Sequence, residues 1–116
     1  MAGRAEDLIR DYWKVCEEGD FTKLTPFFAA NAILVDPMYG TFTGRDAIAG
    51  FMSQIMSDMA PGIVFVAEEV AGDENTAWAR WKFSTSAGEG TGGSIFRIEG
   101  GLIIFEQDWT NPPVAG

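Results

Sequence analysis

From Arg4 to Glu18 the apolar residues Ala5, Leu8, Ile9, Tyr12, Trp13, Val15 and Cys16 recur every three or four positions, while Arg10, Asp11, Lys14 and Glu17 fill the opposite side. That spacing predicts an amphipathic helix with Tyr12 and Cys16 on its buried stripe. Gly19 can end it in the left-handed conformation, and Asp20 can cap a second helix whose Phe21, Leu24, Phe27 and Phe28 share a side. Pro26, lacking an amide hydrogen, keeps that helix short. The apolar, β-branched run Ala32-Ile33-Leu34-Val35-Asp36 before Pro37 predicts a strand ending at Asp36, with a loop from there to Gly44. Between Arg45 and Met59 the set Ile48, Phe51, Met52, Ile55, Met56 and Met59 returns to helical spacing, and Pro61-Gly62 closes the segment.

The remainder alternates between strand and turn. Ile63 to Val70, Thr76 to Ser86, Ser94 to Glu99 and Leu102 to Trp109 read as four strands of an antiparallel meander, separated by Gly72-Asp73-Glu74-Asn75, the glycine-rich Gly88 to Gly93, and Gly100-Gly101. In the second of these strands Ala77, Ala79, Trp81 and Phe83 share one parity and Trp78, Arg80 and Lys82 the other, so the first set is expected to face the core. Three N-terminal helices packed on a curved, mainly antiparallel sheet make an α+β domain. A length of 116 residues suits one such domain over residues 1–116.

Composition narrows the chemistry. A formal net charge of -9 repels phosphate backbones and anionic lipid surfaces, which argues against nucleic-acid and membrane partners. The chain has no histidine and one cysteine, Cys16, which removes Ser-His and Cys-His pairs and the usual zinc ligand sets, so no metal or cofactor is expected. Acid–base work must then fall to carboxylates, tyrosine or lysine. A lone buried thiol and the absence of a signal-peptide core or a bilayer-length apolar run point to a cytoplasmic protein.

Gly88-Glu89-Gly90-Thr91-Gly92-Gly93 satisfies the dinucleotide-binding glycine pattern literally, yet it opens a strand and not a helix, so a hairpin loop is the expected reading. Asp36 stands at the end of an apolar strand, where it is expected at the mouth or wall of a pocket beneath the helices; its plain reading is a turn-forming Asp-Pro. Tyr12 is by itself a core tyrosine whose hydroxyl finds a neighbour. Asp108 and Trp109 close the last strand, and parity leaves open which of them faces inward if a bulge intervenes. Met52, Met56 and Met59 form a stripe suited to core packing or to a large apolar ligand.

The order of elements resembles the nuclear transport factor 2-like superfamily, which includes ketosteroid isomerases, limonene-epoxide hydrolases and SnoaL-like polyketide cyclases. The resemblance is carried by Glu18-Gly19-Asp20-Phe21, Phe27-Phe28-Ala29-Ala30-Asn31-Ala32, Val35-Asp36-Pro37, Gly44-Arg45-Asp46-Ala47-Ile48 and Phe51, and it spans nearly the whole chain. It implies a cystatin-like cone around an apolar pocket. It also implies that Asp36 matches the proton-shuttling aspartate of the isomerases and Tyr12 their oxyanion-binding tyrosine. Where isomerases and cyclases carry a further aspartate, this chain has Ser94, a weaker hydrogen-bond donor. Asp108 falls where an epoxide hydrolase places a water-activating carboxylate, with Arg80 similar to that family's arginine and Lys82 in place of its second carboxylate.

These readings converge on an isomerase or cyclase acting on a hydrophobic carbonyl compound, with Asp36 as base and Tyr12 as oxyanion donor. Phe51, Met52, Trp81, Phe83, Ser94, Phe96, Asp108 and Trp109 are expected to contact the substrate. The alternatives are a non-catalytic ligand-binding or dimerisation module and an epoxide hydrolase-like enzyme using Asp108. The resemblance further implies a homodimer.

Overall fold

In the computed structural model, which describes residues 3–58, 64–85 and 88–111, the apolar stripe of the first segment lies against a curved sheet. The elements run α1 (Arg4–Glu18), a 3-10 helix (Phe21–Phe27), β1 (Phe28–Asp36), β2 (Gly40–Thr43), α2 (Arg45–Asp58), β3 (Val64–Gly72), β4 (Thr76–Thr85), β5 (Gly88–Glu99) and β6 (Leu102–Asn111). Gly19 takes the left-handed conformation at φ 92°, and its amide hydrogen donates to the Cys16 carbonyl to close α1. Asp20 caps the next helix by accepting from the Thr22 amide at 3.0 Å. That helix is 3-10 and not α, with Pro26 inside it.

The six strands form one open sheet in the order β2-β1-β6-β5-β4-β3. The meander β3 to β6 is antiparallel as expected, but β1 runs parallel to β6, so the sheet is mixed. Two expectations are corrected. The stretch read as a loop between Asp36 and Gly44 contains β2, which pairs with β1 from Ile33↔Thr43 to Asp36↔Gly40. β1 also starts earlier, at Phe28. The expected positions of Met59, Pro61-Gly62, Ile63 and Ser86 lie outside the described residues.

The glycine-rich stretch is likewise strand and not hairpin loop: Gly88 to Gly93 pairs residue by residue with Thr85 to Arg80. The physical reason is the neighbouring strand. A Cβ on Gly90 would overlap the Phe83 ring, and one on Gly92 would overlap the six-membered ring of Trp81. Side chains are absent at 90 and 92 because rings from β4 occupy their space.

Bulges bend the sheet between Phe28 and Ile33 of β1, between Ala67 and Glu69 of β3, and where Arg97↔Phe105 gives way to Ile98↔Ile103. The last inserts Ile104 as an unmatched residue in β6, so the inward set switches from Ile103 to Glu106 and Asp108. Across β5 these face Ile98, Phe96 and Ser94 in register. The core gathers Ile9, Tyr12, Leu24, Phe28, Leu34, Ile48, Phe96 and Ile103 between helices and sheet.

Gly92→Ala is expected to lower the unfolding free energy by about 1–3 kcal/mol, because the Trp81 indole must leave its place. Gly93→Ala, whose Cβ would meet only the Ala79 carbonyl at 3.6 Å, should cost less. Urea denaturation of both variants checks the difference.

Candidate active site

Between α1, the 3-10 helix, α2 and the inner face of the sheet lies a cavity of about 260 Å³. Its walls are mostly aromatic and aliphatic: Tyr12, Trp13 and Cys16 from α1, Phe21 and Leu24 from the 3-10 helix, Phe51, Met52 and Ile55 from α2, and Phe65, Trp81 and Phe83 from the sheet. Against this lining stand Asp36, Asp58, Ser94, Glu106 and Asp108.

The inner polar groups form one connected chain. The Trp81 indole N–H donates to Ser94 Oγ at 3.0 Å, and the Ser94 hydroxyl donates to Asp108 Oδ1 at 2.7 Å. Glu106 and Asp108 lie two residues apart on the same face of β6, where a protonated Glu106 donates to Asp108. The Tyr12 hydroxyl donates to Glu106 Oε1 at 3.0 Å. Tyr12 is held in that direction by edge contacts with Phe96, Phe27 and Phe28 at centroid distances of 5.3, 5.7 and 6.2 Å.

Burial governs the protons here. Glu106 is only 3% exposed, and desolvation, followed by the negative charge of Asp108 and the hydrogen bond to it, pushes its carboxyl well above the glutamate range. Desolvation also raises Asp108, to about 6, against the opposing pull of its hydrogen bonds with Glu106 and Ser94, while the charge of Asp36 adds to the rise. Burial thus pushes both carboxyls toward the protonated form, and the hydrogen bonds from Glu106 and Ser94 favour the anion at Asp108. Burial first, with the nearby Glu106 carboxyl adding to the rise, pushes both the Tyr12 phenol and the Cys16 thiol well up, so both stay protonated.

Asp36 borders the cavity, but its Oδ1 accepts from the Met38 and Tyr39 amides at 2.8 and 2.9 Å, an Asx turn that shapes the hairpin into β2. At the same rim the Tyr39 hydroxyl donates to Asp58 Oδ2 at 2.9 Å and its ring packs edge-on against Phe51. Trp13 Nε1 is, among the described residues, the buried side-chain polar atom that has no partner.

Most of the residues expected at the site border this one cavity: Tyr12, Asp36, Phe51, Met52, Trp81, Phe83, Ser94 and Asp108. Two expectations need correction. Trp109 is 52% exposed and outside the lining, because its parity on β6 is opposite to that of Asp108. Phe96 is fully buried behind Tyr12 and supports it without bordering the cavity. The expected contact between Tyr12 and a substrate oxygen is also altered, since the phenol proton is given to Glu106. Glu106 itself did not stand out in the sequence; its signal is a carboxyl two residues before Asp108, directly after the apolar run Leu102-Ile103-Ile104-Phe105. Arg80 lies on the outer face, 3.9 Å from Glu68, away from the cavity.

The family described as SnoaL-like domain matches residues 9–106. No curated protein matches the chain. Among solved structures, an NTF2-like protein of unknown function from Mesorhizobium loti superimposes with a TM-score of 0.78 at 21% identity, covering 94% of this chain and 92% of that one. A provisionally named polyketide cyclase from Sinorhizobium meliloti gives 0.75 at 22% identity, with 89% and 94% covered. A hypothetical protein with a ketosteroid isomerase-like fold from Catenulispora acidiphila, in complex with trimethylamine, gives 0.73 at 18% identity, with 88% and 83% covered. At these identities the likeness establishes the fold.

The raised carboxyls make stability depend on pH in a definite direction. The folded chain keeps protons that the unfolded chain has released, so stability present below about pH 4 is lost as pH rises through about 6 at Asp108. Relative to Asp108→Asn, the wild type should lose on the order of 3 kcal/mol between pH 4 and 7. Denaturant titrations of both proteins across that range measure it.

Proposed function

We propose that this chain, which belongs to the SnoaL-like domain family, moves a proton within a small hydrophobic carbonyl compound, as an isomerase or cyclase does. The observation that carries this reading is the convergence of Asp36 and Asp108 on one aromatic-walled cavity, with Asp108 fixed in a hydrogen-bonded chain and pushed up to about 6. A carboxylate of that pKa is ionised at neutral pH and still basic enough to take a proton from carbon next to a carbonyl.

In this reading Asp108, which burial raises to about 6, is the general base, and Asp36, held by two backbone amides in its turn, has a supporting part. Asp36 contributes its charge, which helps raise both inner carboxyls. Tyr12 holds Glu106 and thereby the position of the shared proton. Once Asp108 has taken the substrate proton, the Ser94 hydroxyl no longer faces an anion and is free to donate to the substrate oxygen that gains charge. The Trp81 N–H keeps Ser94 in place through that change.

A second reading, water activation by Asp108 as in an epoxide hydrolase, has the cavity-facing position of that carboxylate in its favour. Arg80 on the outer face weighs against it. We propose in addition that two copies pair across the outer face of the sheet, where Trp78 and Trp109 are 43% and 52% exposed.

Double-bond migration in an unsaturated ketosteroid, and deuterium uptake from heavy water next to the carbonyl of smaller cyclic enones, test the proton transfer. The rate is expected to rise with pH through about 6 and to fall by roughly 10²- to 10⁴-fold in Asp108→Asn, with a smaller loss in Asp36→Asn. The opposite order would return the base to Asp36, and no exchange with any of these ketones would leave a binding module. Light scattering should give twice the mass of the chain, and a monomer would reject the dimer.

A further inference from the structure

The cavity has a one-sided charge pattern. Its lining includes Asp36, Asp58, Glu106 and Asp108, but among the described residues no lysine or arginine, and the chain has no histidine. An anionic ligand would be desolvated there without a counter-charge, against the field of the carboxylates.

The sheet side of the same cavity is a floor of aromatic rings, Phe65, Trp81 and Phe83. With no side chain at Gly90 and Gly92, the rings of Phe83 and Trp81 lie across the β5 backbone instead of standing away from it. Phe65 stacks on Phe83 at 5.6 Å with an interplanar angle of 30°, and Trp13 lies 5.9 Å from Trp81. Ring faces carry the negative end of the aromatic quadrupole, which attracts cations over tryptophan most strongly. The indole of Trp81 is tied to the carboxylate of Asp108 through Ser94 by the bonds of 3.0 and 2.7 Å, so face and charge keep a fixed relation.

We propose that the ligand of this cavity carries an alkylammonium group, seated over the Trp81, Phe83 and Phe65 rings with Asp108 as its counter-charge. The inference rests on the reading of this cavity as the substrate site and narrows the carbonyl substrate to one that also bears a basic or quaternary amine. It does not depend on turnover.

Three probes of similar size and different charge test it by calorimetric titration at constant ionic strength: tetramethylammonium chloride, tert-butanol and pivalate. Tetramethylammonium is expected to bind at least about 10-fold more tightly than tert-butanol, and pivalate not at all. Asp108→Asn, which keeps the side-chain shape, and Phe83→Leu should each weaken the cation by about 5- to 10-fold, while Trp109→Leu on the outer face should leave it unchanged. Equal affinity for tert-butanol would overturn the proposal, as would a Trp109→Leu loss matching that of Phe83→Leu, which would mean loose attraction to an acidic surface. Cation preference without proton exchange would sink only the catalytic reading. Proton exchange without cation preference would sink only this one.

Discussion

A carboxyl group enclosed under a helix with no cation beside it is tolerated when it is neutral, shares a proton or is well hydrogen-bonded, since an isolated buried charge costs several kcal/mol. Glu106 meets that condition through its neighbours. Tyr12 donates to one of its oxygens, and Asp108 stands beside it as the partner whose own hydrogen bonds favour the anion. Ser94 donates to Asp108 and itself accepts from the Trp81 indole N–H. An apolar residue in place of Ser94 would leave the Trp81 indole N–H unpaired, and one in place of Glu106 would do the same to the Tyr12 hydroxyl. That dependence ties α1 to three strands of the sheet at the inner end of the cavity.

The sheet makes the arrangement possible by its irregularities. Without the unmatched Ile104, a regular β6 that keeps Ile103 inside would turn Glu106 and Asp108 to the outer face, since side chains alternate strictly along a strand. The bulge moves two carboxyls inward and Trp109 outward in a single step. The rim is shaped in a similar local way, by the Asx turn at Asp36 and the bond between Tyr39 and Asp58.

Much of the architecture was legible in the sequence because it rests on periodicity. The stripe Ile9, Tyr12, Trp13 and Cys16 and the parity of Ala77, Ala79 and Trp81 are set by side-chain geometry alone, and they are buried as that geometry requires. Tyr12 and Asp36 were visible as a pair only through a family resemblance, and they do border one cavity. What could not be read were features in which one residue decides the direction of others. Ile104 looks like any apolar strand residue, so neither the burial of Glu106 nor the exposure of Trp109 followed from spacing. The glycines at 90 and 92 look like a turn until the rings of β4 are placed over them.

Those two glycines divide the cavity into parts with unequal freedom to vary. Any larger residue at either position evicts an aromatic ring, so the floor admits little change over evolutionary time. The roof is otherwise: Met52 and Ile55 on α2 are unbranched at the tip or only partly enclosed, and methionine adapts to many neighbours. Divergence in ligand choice among descendants of this chain would therefore be written on α2, while β4 and β5 passed down almost unaltered.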